Sequence, residues 1–512
     1  MKNFLFRLWS RRGVRVFCWS AITLLVFVTL LGTLISWSGQ RRWLRIKAVL
    51  VEEGEKTDFK ALIPPPIPQE RNFGAIEPLM GINLVEERDE KRGIPGQKRQ
   101  LLEALKFDLP AGLLAKRGPT LGTKLDLGKV CEALKKSKAL ALPKDTVNPA
   151  TAIRDALEKA HPVLKVMAEA ARLRPDSEIV PSLRDQKLPP ILYSMRVPHY
   201  GPMQSAAVAL RLHGHACLES GDAAGAVSDA LASLRLAEAA SKEPWLIGYL
   251  VSAQIHQQAV DLVWNLLASR KASEGDLHLL QSALWRIDFE QGLLRAFRGE
   301  MIGAADTLDA LASNSEQRAA IANVGRGVGS KPSFVADLFA DCIPAGFFIH
   351  NKAGLVEMQW HHLIKPLKKN GLIALLKEPD AMAKELRGHS TLSRPDLLFA
   401  RLASPSAGML VFHAAFTESQ RRQAAIACAL ERHYLRSQTY PQTLDELVPA
   451  FLPEVPVDVM DGKPMRYRRT EEGRFHLWSV ALDGKDDCGK VNFPQDASLS
   501  QISKEGYLGD WT

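Results

Sequence analysis

The strongest hydrophobic pattern in the chain is an uninterrupted apolar run near its amino end. Residues Val16 to Trp37 include no charged residue and no proline, and their 22 positions match the thickness of a bilayer core crossed as one helix. We therefore predict a transmembrane helix at 16–37. It follows a basic tail at 1–15 and precedes a juxtamembrane helix and a proline-rich spacer at 38–70, in which consecutive prolines favour an extended conformation.

A helical period dominates the middle of the chain. Residues 71–149 are glycine-punctuated and predict short helices and loops, whereas apolar positions spaced by three and four residues predict a helical domain at 150–402. The expected helices lie at 150–174, 205–219, 223–240, 246–270, 275–298 and 301–322. We expect the region from 150 to about 322 to be an all-α stack without a sheet.

One pair of predicted helices resembles a single tetratricopeptide unit. Segments 205–219 and 223–240 meet at Ser220-Gly221-Asp222, where Gly221 supplies the turn and Asp222 can cap the second helix. Gly214, Gly221 and Ala226 occupy spacings that this motif uses for close packing. No clear 34-residue repeat follows, so the pattern favours an irregular stack of helical hairpins.

The region 403–512 predicts a long helix followed by a small α+β cassette. Thr417 to Gln420 has capping-box spacing and predicts a helix start, and Thr443 to Glu446 predicts a second, shorter one. Alternating segments at 465–469 and 475–481 predict a β-hairpin. Since two strands alone are marginally stable, we expect the helix face of Ile426, Leu430 and Tyr434 to cover it, with Trp478 and Val480 buried and His476 at the rim.

The charge distribution argues against nucleic-acid binding. Nine of the 66 basic residues lie within the first 47 positions, which contain no acid; the remaining 57 equal the number of acidic residues. The basic excess therefore flanks the apolar run, where cations meet lipid head groups. A short, purely basic amino tail favours an N-terminus in the cytoplasm. The length of the apolar run and the poor cleavage site at Trp37-Ser38-Gly39 favour an uncleaved signal anchor over the alternative, a cleaved signal peptide.

Recognised catalytic patterns fit the sequence poorly. The six cysteines form no C-x-x-C pair, and Gly388-His389-Ser390-Thr391-Leu392 lacks the last glycine of a nucleophile elbow. In the glycine-rich segment 325–331, Lys331 is followed by Pro332 and not by the serine or threonine of a phosphate loop, so the segment is typical of a linker. His213-Gly214-His215 and His361-His362 lack the arrangement of an H-E-x-x-H zinc motif, and histidines this close in sequence point in different directions on a helix, so we expect packed or surface histidines. The sequence predicts a protein that is not an enzyme.

The carboxy-terminal cassette resembles the globular end of major pseudopilins of type II secretion systems. The matching pieces are Tyr440-Pro441-Gln442-Thr443, the segment 458–464 and the stretch from Trp478 to Gly484, over about 90 residues. Val459 and Met460 replace a Pro-Trp pair, Ala481 replaces a glycine, and the pseudopilin leader is absent. The whole chain more closely resembles a family of bacterial membrane-anchored proteins with a proline-rich segment after the membrane and this ending. That resemblance implies a place in the cell envelope and no particular activity.

The resemblance also implies a calcium site, because pseudopilins bind calcium in the loop after the hairpin. Here Asp483, Asp486 and Asp487 can supply three carboxylates, and Ca²⁺ prefers such oxygen ligands on a tight loop. A solvated acidic turn is the alternative for the same residues.

These patterns leave three hypotheses for the function. The leading one is a membrane-anchored scaffold or protein-interaction protein, held by lipid contacts of 16–37 in a bacterial inner membrane, with the bulk of the chain and its protein partner in the periplasm. The second is an accessory component of a type II secretion or pilus-like assembly. The third is a periplasmic enzyme, which a cleft with convergent titratable groups would favour.

Overall fold

The computed structural model describes residues 12–80, 124–143, 147–179, 197, 199–314, 316–318, 343–377, 380–403, 407–481 and 484–490. Within these ranges the protein is mainly helical, with one two-stranded antiparallel sheet near the carboxyl end. The helices are α1 Arg12–Glu52, α2 Glu77–Met80, α3 Leu127–Ser137, α4 Pro149–Ala160, α5 Val163–Leu173, α6 Tyr200–Glu219, α7 Ala223–Ser241, α8 Leu246–Ser269, α9 Glu274–Arg286, α10 Phe289–Ser313, α11 Ala345–Gln359, α12 Lys365–Asn370, α13 Leu372–Lys377, α14 Ala381–Arg387, α15 Leu398–Ala403 and α16 Ala407–Ser437. The strands are β1 Arg466–Arg469 and β2 Phe475–Trp478.

Helix α1 is long and apolar enough to cross a membrane, and its apolar side chains are exposed. The sequence predicted a transmembrane helix and a separate juxtamembrane helix, but the structure joins them in one helix of 41 residues. Gly39 does not interrupt this helix, which continues to Glu52.

The middle of the chain is a stack of antiparallel helices around α7. Helix α7 packs against α5, α6, α8 and α9, and its many alanines allow this close approach on several sides. The turn predicted before it is confirmed: Gly221 has a φ of +91°, and the Asp222 carboxylate accepts a hydrogen bond from the Gly225 N–H. Described residues from 150 to 318 form helices, with an isolated bridge from Asp176 to Asn72 as their one extended pairing.

Two predicted helix boundaries in this stack are wrong. The helix expected at 150–174 is two helices, α4 and α5, because Pro162 lacks an N–H and disfavours helix at His161. The segments expected at 275–298 and 301–322 divide instead at Ile287 and Asp288, where the Asp288 side chain caps α10. Gly299 is a packing position within α10, since a Cβ atom there would lie 1.7 Å from the Pro244 oxygen.

The helix start predicted at Thr417 is also wrong. Thr417 lies inside the 31-residue helix α16 and donates its hydroxyl to the His413 carbonyl. The acid of the apparent capping box, Glu418, is buried and accepts hydrogen bonds from Arg421 and Arg422 on its own helix. The capping pattern is therefore part of an internal ion cluster.

The carboxy-terminal hairpin forms as predicted. Strands β1 and β2 pair in the register Arg466 to Trp478 and Arg469 to Phe475. The second capping box is confirmed, with Glu446 Oε1 accepting the Thr443 N–H at 3.2 Å.

Both faces of β2 are covered. Trp478 and Val480 are buried and His476 is exposed, as predicted. The predicted covering helix lies over the other face of the strand, because Leu477, on the side opposite to Trp478, packs in the cluster that contains Ile426 and Leu430. A helix on one side and loop residues on the other therefore enclose the strand.

Candidate functional site

A close junction between two helices joins α1 to α11 where the apolar run of α1 ends. Contacts pair Ser36 with Gly346, Gly39 with His350 and Arg42 with Glu357, so the two helices run in the same direction. Helix α11 thus begins beside Ser36. The helical domain is fixed to α1 from that level onward.

Small residues allow the two helices to touch. A Cβ atom on Gly346 would lie 2.5 Å from the Ser36 nitrogen, and one on Gly39 would lie 3.1 Å from the His350 ring. Small residues at such crossings let helix backbones approach closely in membrane proteins. Ser38 Oγ and His350 Nε2 form a further hydrogen bond of 2.9 Å across the junction.

An ion cluster holds the next turn of α1. Arg42 donates to Asp396 Oδ2 at 2.7 Å and to Glu357 Oε2 at 2.6 Å, and Arg394 donates to Asp396 Oδ2 at 2.9 Å. Burial opposes the ionisation of Asp396, but the hydrogen bonds and charges of the two arginines outweigh it and lower its pKa to about 2. Asp396 is therefore a stable anion that connects α1 to the segment before α15.

A second ion cluster fixes the carboxyl end of α1. The Glu55 carboxylate is fully buried and binds Arg298 at 2.6 Å and Lys368 at 2.8 Å. Burial opposes its ionisation, but hydrogen bonds from these two cations lower its pKa below the usual value. The chain after α1 is thus bound to both α10 and α12.

A cleft of about 930 Å³ opens beside the junction. Its apolar wall includes Ile35, Pro344 and Phe347, and its polar edge includes Arg42 and Arg394. Since Ile35 belongs to the apolar run of α1, the cleft continues the surface of that run into the helical domain. The cleft is therefore mainly apolar, and its charged edge is the ion cluster of Arg42, Arg394 and Asp396.

The predicted calcium ligands occupy different structural settings. Asp483 lies outside the described residues, Asp486 is exposed, and Asp487 is half-buried. Asp486 Oδ1 accepts hydrogen bonds from Trp478 Nε1 at 2.9 Å and from the Cys488 N–H at 3.0 Å. Asp486 therefore already stabilises the hairpin end, while the calcium site itself stays a prediction.

A carboxylate that the sequence analysis did not single out organises this cassette. Asp458 is fully buried and accepts hydrogen bonds from Ser479 Oγ at 2.8 Å, the Val480 N–H at 3.0 Å and Arg466 at 2.8 Å. Asp458 is 21 residues before Ser479, and no local pattern in the sequence indicates that pairing.

The histidines considered as metal ligands separate into two groups. His362 lies 2.8 Å from Glu385 near the surface, whereas His213 is buried beside Asp229 and Cys217. Sequence spacing showed Cys217 one turn after His213, but Asp229 comes from the next helix and its approach depends on the fold.

The weak catalytic motifs gain no support from the described residues. Ser390 follows the short helix α14 and its hydroxyl donates to Ser393 Oγ, so the strand that a nucleophile elbow requires is replaced by a helix. The glycine-rich segment 325–331 lies outside the described residues.

Comparisons of the chain with protein-family models, with curated proteins and with solved structures found no match. The site is therefore interpreted from its own geometry.

Proposed function

We propose that the protein is a single-pass scaffold of a bacterial inner membrane, with its N-terminus in the cytoplasm and its helical domain in the periplasm. The observation that carries this proposal is the unbroken helix α1, which continues from the apolar run into the parallel contact with α11. A flexible tether would allow the domain to reorient, whereas this junction holds it in one orientation above the bilayer.

The proposed scaffold acts without catalysis, by presenting a rigid helical surface to a protein partner in the envelope. Both ion clusters support this role. The cluster at Asp396 binds α1 to the helical domain, and the cluster at Glu55 binds the chain just after α1 to it. Membrane lipid contacts residues 16–37. It also covers the apolar wall of the cleft beside Ile35 and Phe347.

The pair α6 and α7 forms the interior of this scaffold as a single unit of tetratricopeptide type, because α7 is buried along nearly its whole length. Its turn at Gly221 and its cap at Asp222 support the resemblance, and the stack then continues with less regular hairpins.

An accessory role in a type II secretion assembly is a second candidate. The observation that favours it is the order of the cassette, a long helix followed by a capped turn and a two-stranded hairpin, as in the pseudopilin end that it resembles. In this chain α16 packs against α8 and α9 of the domain and is separate from α1. The cassette therefore serves here as a docking module on a scaffold.

Reporter fusions test the membrane arrangement. A periplasmic phosphatase fused after Thr512 is expected to be active, and a fluorescent protein that matures only in the cytoplasm is expected to be dark there. The protein is expected to remain in the membrane fraction after alkaline extraction. A dark phosphatase fusion or release by alkali would overturn the proposal.

The scaffold role is tested by in vivo crosslinking in wild type and in an Arg42→Glu variant. Exposed residues of α9 and α10, such as Ser282 and Gln291, carry a photoreactive amino acid in both. A defined crosslinked partner in wild type, weakened when the junction is disrupted, supports the proposal. Absence of any protein crosslink at all tested positions would contradict it.

A further inference from the structure

A buried cluster of three different side chains joins α6 to α7. His213 and Cys217 lie four residues apart on α6, so they share one helix face, and Asp229 reaches them from α7. Their accessible fractions are 6%, 1% and 0%, respectively. One potential ligand atom from each lies within 4.8 Å of the other two.

The spacing of these atoms is close to that around a tetrahedral zinc ion. Bonds of about 2.1 Å to nitrogen and about 2.3 Å to sulfur separate the two atoms by about 3.6 Å. Cys217 Sγ lies 3.7 Å from His213 Nδ1 and 3.8 Å from Nε2, so the thiol lies over the face of the imidazole ring, and a shared ion requires one of the two side chains to rotate. Asp229 Oδ2 lies 2.7 Å from His213 Nδ1, which is a hydrogen-bond distance. A bound zinc ion would replace the proton between these two atoms and increase their distance to about 3.3 Å.

Asp229 provides an independent sign of a missing ligand. Its Oδ1 atom is completely buried and has no hydrogen-bond partner among the described residues. Leaving a buried carboxylate oxygen unsatisfied is costly, and such atoms in folded proteins generally have a partner or an ion. This oxygen belongs to the same side chain that faces His213.

The surroundings of the cluster are those of a histidine metal ligand. Glu158 Oε1 lies 3.3 Å from His213 Nε2, and a carboxylate behind the second nitrogen commonly orients a metal-bound imidazole. Asp222 and Glu158 add negative charge near Asp229, with Arg154 at 4.0 Å from Glu158 as the adjacent cation. The local field favours a cation.

We propose that His213 Nδ1, the Cys217 thiolate and an oxygen of Asp229 bind a zinc ion that fastens α6 to α7. Glu158 accepts the Nε2–H of His213, and a water molecule completes four ligands. Binding releases the thiol proton of Cys217 and the Nδ1 proton of His213 to solvent. Because the three ligands are buried, the ion is structural and closed to substrates. The thiolate and imidazole ligands favour zinc over calcium or magnesium.

The test uses the full-length protein in detergent, stripped with a chelator and then equilibrated with Zn²⁺ alone. Mass spectrometry of the metal content is expected to find one zinc per chain. The Cys217→Ser and Asp229→Asn variants are expected to lose it, and Glu158→Gln is expected to lower the affinity about 10- to 100-fold. The matched control is Cys428→Ser, another buried thiol, which should retain the zinc of the wild type.

A variant that fails to fold would leave its own metal content uninformative, so the wild type supplies a second readout. Cobalt(II) substituted for zinc is expected to give a thiolate-to-metal charge-transfer band, and stoichiometric Zn²⁺ is expected to raise the melting temperature by mass action. The proposal is overturned if the wild type binds no stoichiometric zinc, if its cobalt form lacks the thiolate band, or if folded Cys217→Ser retains full affinity. In each case the cluster is a plain His213–Asp229 ion pair.

Discussion

The backbone of Gly346 lies against the backbone of Ser36, so closely that a Cβ atom at position 346 would stand 2.5 Å from the Ser36 nitrogen. This contact joins the first turn of α11 to the level at which the apolar run of α1 ends. It makes the long amino-terminal helix part of the helical domain.

The contact predicts a large effect of a single methyl group. Gly346→Ala is expected to push α11 from α1 and to destabilise the protein by about 1–3 kcal/mol, as overpacking does. Gly201→Ala is the matched control, because a Cβ atom there has no neighbour within 4 Å. That change within a helix should be neutral or stabilise by about 0.5–1 kcal/mol. Denaturant unfolding in detergent measures both, and equal effects would contradict the close contact.

The junction also predicts a dependence of stability on pH. Hydrogen bonds from Arg394 and Arg42 outweigh burial and lower the folded-state pKa of Asp396 to about 2, below its value of about 3.9 in an unfolded chain. A lowered pKa stabilises the folded state above the unfolded value, and this contribution is lost as the pH falls from about 4 through about 2.

The Asp396→Asn variant isolates this contribution. It should melt at a lower temperature than the wild type at pH 6, and the two melting curves should converge as the pH approaches 2. A difference in melting temperature that stays constant from pH 6 to pH 2 would show that the charge of the Asp396 carboxylate does not stabilise the junction.

Asp458 is expected to be the residue on which the cassette most depends. Asp458→Ala leaves the buried Ser479 hydroxyl and Val480 N–H without their acceptor, at a cost of about 1–3 kcal/mol for each group, while the half-buried Arg466 keeps its bond to Asp461. Backbone hydrogen exchange over residues 458–480 should become faster by the factor that this loss of stability implies. Asp445→Ala, at an exposed carboxylate, should change stability by less than about 0.5 kcal/mol. Unchanged exchange in Asp458→Ala would refute the role of Asp458.

The calcium hypothesis is tested at the loop after the hairpin. If this loop binds the ion, millimolar Ca²⁺ should raise the melting temperature by mass action, and Asp483→Ala should abolish that rise. Asp486→Ala is a poorer probe, because it also removes the hydrogen-bond acceptor of Trp478. No shift with Ca²⁺ in the wild type would leave the loop as an acidic turn.

Local signals in the sequence predicted much of the fold. The apolar run of α1, the Gly221 and Asp222 turn and the Thr443 capping box each depend on neighbouring residues, and the structure contains them all. Predicted helix boundaries were wrong where a residue that often ends a helix has a packing role in this fold. Gly299 resembles a helix break but serves close packing against Pro244.

The candidate sites were mostly outside the reach of sequence patterns. Arg42 and Asp396 are 354 positions apart, and they meet because α11 packs against both α1 and the segment before α15. Similarly, the spacing of His213 and Cys217 was visible in the sequence, whereas the approach of Asp229 depends on how α6 and α7 cross. Tertiary pairing of buried charges has no short-range signature.

The most direct test of the account measures the distance between α1 and the domain in lipid nanodiscs. Spin labels attached to unnatural amino acids at Leu34 and Lys384, both exposed, avoid the native cysteines. A second pair of spin labels, at Lys384 and the exposed Lys159, gives the width of the distance distribution between two positions within the domain. If α1 and the domain form one rigid body, the Leu34–Lys384 distribution should be single and as narrow as that reference. A broad or multiple distribution would show a flexible tether and contradict the proposed scaffold.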